Sequence, residues 1–157
     1  MTDTTRRHTL GLFAIAALAA TPLQAQTAPP AAISVREAHE RAAAGRALLI
    51  DIRTPAEWRD TGLPANAIAL DMTSPVFEAR LAMLRAENPG KPIALICRTA
   101  SRSRNLQRLL AGRGWTNLVD VRGGMLGDGQ NKGWLDENRP LARWAARRQA
   151  DRRPVQA

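Results

Sequence analysis

The chain's one cysteine, Cys97, stands between a short apolar run and a helix-like stretch in IALICRTASRSRNLQRLL (93–110), with Arg98, Arg102 and Arg104 close behind it. A thiol is a nucleophile only as its anion, and the setting favours that form. The run Ile93–Ile96 reads as a buried strand and the segment after it as a helix. Cys97 therefore falls at the carboxyl end of a strand and just ahead of a helix N-terminus, where open α/β sheets hold their ligands. The first N–H groups of that helix lack internal partners and carry the positive end of its dipole. In such surroundings a thiol with a pKa of about 8.5 drops into a range of roughly 3.5–7.5. No general base is then needed, and none is obvious. His39 lies mid-helix far upstream and reads as a helix-surface residue; one His and one Cys fall far short of a metal set.

Three further apolar runs, Ala47–Ile50, Ala67–Leu70 and Leu118–Val121, have the near-continuous hydrophobicity of strands covered on both faces. Helical patterns alternate with them. Ser34 is placed to cap VREAHERAAAG, which ends at Gly45, and Ser74-Pro75 is placed to open VFEARLAMLRAEN before Pro89-Gly90. After Cys97, Leu106, Leu109 and Leu110 fall at helical spacing and are expected to face the sheet, with Gly112 and Gly114 ending the helix. The alternation predicts one α/β domain with a mostly parallel sheet flanked by helices on both faces. Trp58, Trp115 and Trp134 are expected in the core or at its rim, and Met72, Met83 and Met125 as gap fillers.

At 157 residues there is room for one domain and appendages. Residues 1–25 run from Arg6-Arg7 through the apolar stretch Leu10–Ala20 to a small-residue exit at Ala25, the layout of a cleavable export signal. Residues 26–32 (QTAPPAA) read as a flexible linker, residues 33–141 as the domain and residues 142–157 as a basic tail. The expected location is the periplasm or another exported compartment. A lone cysteine forms no internal disulfide there, which leaves a reactive thiol or a simple buried one. The net charge is +9, with 21 Arg to 2 Lys. Export argues against nucleic acid as a partner; a solvated surface, an acidic protein or anionic lipid under the tail remain open readings of the charge.

CRTASRS (97–103) resembles the active-site loop of the rhodanese family, approximately C-R-x-G-x-R-[ST]; Cys97, Arg98, Arg102 and Ser103 match, and Ala100 stands where glycine is usual. LLIDIRTPAEW (48–58) is similar to the family's strand followed by D-x-R and an acidic-aromatic pair, here Asp51, Arg53, Glu57 and Trp58. TGLPANAIAL (61–70) corresponds to the family's G-H-I-P-G-A segment without its histidine, and no role is carried onto it. GWTNLVDVRGG (114–124), with Trp134 and Pro140 beyond, resembles the closing strand and double-glycine turn, and GDGQNKG (127–133) a longer form of the last turn.

The resemblance implies a sulfurtransferase. Cys97 would take sulfur from a small anionic donor such as thiosulfate as a persulfide and pass it to a thiol or cyanide. Arg98, Thr99, Ala100, Ser101, Arg102 and Ser103 would form the cradle, Asp51, Arg53 and Glu57 would support it, and no metal or cofactor is implied. Arg102 is open to two readings, pairing with Asp51 or Glu57 or contacting substrate; Arg98 is expected to face solvent and the donor. The C-x4-R spacing is that of the sulfurtransferase loop, whereas the related phosphatases carry C-x5-R. A non-catalytic or sulfur-carrying binding module, and more remotely a phosphatase or arsenate reductase, stay open as other functions.

Overall fold

The computed structural model describes residues 31–144; the expected signal segment, residues 26–30 of the expected linker and the tail from residue 145 lie outside them. In chain order the elements are β1 (Ala32–Ile33), α1 (Val35–Ala43), β2 (Leu48–Asp51), α2 (Pro55–Thr61), β3 (Leu63–Pro64) and β4 (Ala67–Ala69), then α3 (Phe77–Glu87), β5 (Ile93–Ile96), α4 (Ser101–Gly112), β6 (Leu118–Val121) and β7 (Leu141–Ala142). Five strands form one parallel sheet in the order β1-β6-β5-β2-β4. The short β3 and β7 pair antiparallel beside it.

Side chains alternate across the sheet, so each strand feeds two cores. On one face Leu49, Ile96, Val119 and Val121 pack with Val35 and Ala38 of α1 and with Met125 and Trp134. On the other Ile50, Leu95 and Leu118 pack with Phe77 and Leu81 of α3 and Leu106 and Leu110 of α4. Helices thus cover both faces, and β5, buried along its whole length, runs through the centre.

Local signals explain most boundaries. Ser34 Oγ accepts from the Glu37 amide at 3.2 Å and starts α1. The expected strands appear within a residue at each end, but β2 is shifted to include Asp51, and β1 begins at Ala32, inside the segment expected to be linker. Ser74 does not cap α3. Its hydroxyl accepts from Val76 at 3.4 Å while its carbonyl accepts from Phe77, making a turn ahead of a helix that has no side-chain cap.

Three side-chain expectations also change. Leu109 is 51% exposed; the buried stripe of α4 is Ser103, Leu106, Gln107 and Leu110, because the two polar members find partners in the sheet. Gln107 Nε2 donates to the Leu118 and Ala31 carbonyls at 2.8 and 2.7 Å, joining helix, β6 and the entry to β1. His39 is not a free surface residue: its ring meets Trp134 edge-on with centroids 5.6 Å apart, and Trp134 is itself buried. Met83 is exposed at 47% and fills no gap.

Candidate active site

Cys97 follows the last residue of β5 and precedes α4, and only 1% of it is exposed. The chain must reverse within Arg98–Ala100 to enter the helix, and it does so through Ala100, whose φ of +61° lies in the left-handed region. That conformation costs a non-glycine residue about 1–2 kcal/mol. Ala100 is fully buried, so its methyl group recovers part of the cost as packing.

The reversal is held from outside by the turn after β6. Met125 N donates to the Cys97 and Arg98 carbonyls at 3.0 and 2.9 Å, and Leu126 N donates to the Arg98 carbonyl at 2.9 Å. Gly124 permits this approach. A Cβ there would lie 2.6 Å from Cys97 O, 2.8 Å from Arg98 O and 2.9 Å from Ala100 N, all backbone atoms.

Inside the loop, the sulfur meets the first turn of α4. The Ser103 amide donates to Cys97 Sγ at 3.4 Å, and Ser103 Oγ is also 3.4 Å from it. Ser103 Oγ lies 2.6 Å from Asp120 Oδ1, its shortest contact, so its one proton goes to the carboxylate. Asp120 sits on β6, 1% exposed, with Arg104 Nε 3.6 Å from Oδ2. Burial raises the Asp120 carboxyl above the ordinary carboxylate range, against the opposing hydrogen bond from Ser103 and the charge of Arg104.

Two ion pairs brace the front of the loop. Arg102 reaches across to Glu57, with contacts of 3.0 and 2.5 Å to its two oxygens. Glu57 is at the same time the acid of the α2 capping box, accepting from the Thr54 amide at 3.0 Å. The Arg102 guanidinium, with the Thr54 hydrogen bonds, overrides partial burial and holds the Glu57 carboxyl down at about 2. Behind it, the fully buried Arg53 grips Asp51 through Nε and Nη2, the latter at 2.6 Å. Its remaining donors reach Thr61 Oγ1 at 2.6 Å and the Gly62 carbonyl at 2.8 Å, tying the end of β2 to the end of α2. Such a pair holds geometry more than it adds stability, but removing one partner strands the other.

The sequence-derived residues therefore divide by position. Ala100 and Ser103 are buried around the sulfur, while Arg98, Thr99 and Ser101 are exposed at the rim. Arg102 takes the pairing alternative, and its partner is Glu57 rather than Asp51. Asp51 and Arg53 stand one layer back, paired with each other. Arg98 lines a narrow pocket of about 20 Å3 with Leu126, Asp60 and Thr61. No group of three or more potential metal ligands occurs among the described residues. Three contributors were missed from the sequence: Asp120, Gly124 and Met125. A charged residue within LVDV was the available signal for the first, and the double glycine for the second.

Comparison with known proteins agrees with this layout. Residues 34–128 match the family model described as the rhodanese-like domain. A protein of Rickettsia prowazekii, itself uncharacterized, is 30% identical over 100 residues, spanning 60% of this chain and 81% of that protein. Among solved structures, a rhodanese-related protein of Thermoplasma volcanium shares the fold at a TM-score of 0.54 and 22% identity, covering 71% of this chain and 97% of its own. The polysulfide-sulfur transferase homodimer of Wolinella succinogenes is similar at 25% identity and a TM-score of 0.52, over 73% of this chain and 79% of that one. With the match running through the loop, its buried sulfur and the turn that clasps it, the chain belongs to the rhodanese-like domain family.

Proposed function

We propose that this protein is a sulfurtransferase that carries a sulfane sulfur on Cys97, taking it from a small anionic donor such as thiosulfate and giving it to a thiol or cyanide acceptor after export. The observation that carries the proposal is the seating of Cys97 Sγ inside a tight C-x4-R loop, 3.4 Å from the Ser103 amide at the start of α4. A ring of this size suits one sulfur atom better than a tetrahedral phosphate. The similarity to a polysulfide-sulfur transferase supports the same reading.

In the first half-reaction the Cys97 thiolate attacks the outer sulfur of thiosulfate. The donor's S–S bond breaks, sulfite leaves with the electron pair, and Cys97 becomes a persulfide anion. In the second, the acceptor's nucleophilic atom attacks the outer sulfur, the persulfide S–S bond breaks, and the pair returns to Cys97. The helix N-terminus favours the negative sulfur in both states, and exposed Arg98 draws the anionic donor to the rim. The export signal and the exported location belong to this proposal and rest on residues 1–25.

Initial rates with thiosulfate and cyanide varied together test it. A persulfide intermediate gives parallel double-reciprocal lines, and Cys97→Ser gives no turnover while keeping its circular dichroism. Intersecting lines, or turnover in Cys97→Ser, would remove Cys97 from the reaction. Arg98→Ala raises the KM for thiosulfate more than it lowers kcat.

A further inference from the structure

A second cleft, of about 400 Å3, borders the catalytic loop and has Thr99 and Ser101 in its wall. Its other walls come from α4 and from the turn after β6, and three arginines converge on it: Arg104, Arg108 and Arg122. Arg104 is partly occupied, lying 3.6 Å from Asp120 and 3.8 Å from Asp128. Among the described residues Arg108 bonds to the Asn105 side-chain oxygen at 2.7 Å, and neither it nor Arg122 has a carboxylate within ion-pair distance. The one acid in the wall, Asp128, is committed locally: its carboxylate accepts from the Gly123, Gln130 and Asn131 amides at 3.3, 3.0 and 2.7 Å. The cleft thus presents two guanidiniums without a carboxylate partner among the described residues, beside hydroxyl and amide groups, the chemistry that recognises carboxylates.

Size separates this cleft from the donor's site. Thiosulfate is a five-atom anion of which only the outer sulfur has to enter the loop, whereas about 400 Å3 falls in the range of pockets for small organic ligands. Thr99 and Ser101, two and four residues from Cys97, are exposed on the loop and also line the cleft, so the cleft adjoins the loop on which a persulfide would form. We propose that this cleft binds the sulfur acceptor, and that the acceptor is a small organic thiol bearing two or more carboxylates. The inference rests on the sulfurtransferase reading. In the transfer, the acceptor thiol gives its proton to solvent and its sulfur attacks the outer sulfur of the Cys97 persulfide. The new S–S bond leaves the acceptor as a persulfide, and the broken one returns its electron pair to Cys97. Arg108 and Arg122 act as positioning residues that anchor the carboxylates.

Two measurements on the full chain test this. Tricarballylate, which has carboxylates and no thiol, is titrated by calorimetry into the wild type and into Arg108→Gln/Arg122→Gln. The ratio of kcat/KM for mercaptosuccinate over 2-mercaptoethanol is then measured for both. Tricarballylate binds the wild type, with affinity falling as salt rises, and the double variant loses about tenfold or more in both the binding constant and the ratio. Absence of tricarballylate binding, equal binding in the double variant, or an unchanged acceptor ratio each overturns the proposal. So does a double variant whose slowed step is persulfide formation from thiosulfate, which would make the cleft a donor site. A wild type that forms no persulfide would instead sink the sulfurtransferase reading, and the tricarballylate arm would still report on the cleft.

Discussion

Replacing Gly124 by alanine should dismantle the clasp on the catalytic loop. The residue has φ +58°, where alanine carries a strain of about 1–2 kcal/mol. The new Cβ would sit 2.6–2.9 Å from three backbone atoms of Cys97, Arg98 and Ala100. These cannot rotate away as a side chain would, so the two segments must part. Parting weakens the three hydrogen bonds from Met125 and Leu126, each contributing about 1 kcal/mol. The expected destabilisation is about 3–5 kcal/mol in urea unfolding. Gly114→Ala is the internal control. Gly114 has φ +82° but open space around it, so it should lose only the backbone strain, about 1–2 kcal/mol. The alkylation rate of Cys97 by iodoacetamide should change in Gly124→Ala, because the loop that buries the sulfur has moved, and stay near wild type in Gly114→Ala. Equal costs for the two variants, with unaltered alkylation, would refute the idea that this turn holds the loop.

Arg53→Met should destabilise the fold by about 3–5 kcal/mol by leaving Asp51 buried without its partner. Adding Asp51→Asn should restore part of the loss; a double variant that is additively worse would show that the pair is not the cause. For Glu57, a carboxyl held at about 2 against an ordinary 4.5 contributes stability that is complete above about pH 5 and is lost as pH falls through about 2. The pair is partly exposed, so solvent screening brings its share to about 1–2 kcal/mol. Glu57→Gln should therefore be less stable at pH 7 and show a shallower decline between pH 4.5 and 2 in acid titration followed by circular dichroism; a decline as steep as wild type would assign it to other groups.

Much of this architecture is legible from the residues alone. Continuous apolar runs located the buried strands because a parallel sheet covered on both faces demands them. The placement of Cys97 between strand and helix followed from the same pattern. The seven-residue α2 was not expected, although Thr54-Pro55-Ala56-Glu57 carries a capping box and a proline at the first turn; its apolar content, Trp58 alone among its buried residues, is too small to give a periodic signal. Leu109 misled for the opposite reason. Three leucines at helical spacing suggested the buried stripe, yet Ser103 and Gln107 take two of its places because the sheet supplies partners that no sequence pattern displays. Asp120 and the clasp of Met125 depend on contacts across 17 to 28 residues of chain, which only the fold reveals.

The most direct test of the central claim is the intact mass of the purified protein before and after thiosulfate, then after cyanide, with Cys97→Ser alongside. The account predicts the gain of one sulfur atom on the wild type, its complete removal by cyanide, and no gain on Cys97→Ser. An unchanged mass after thiosulfate and after polysulfide, with Cys97 still free to alkylate, would contradict it.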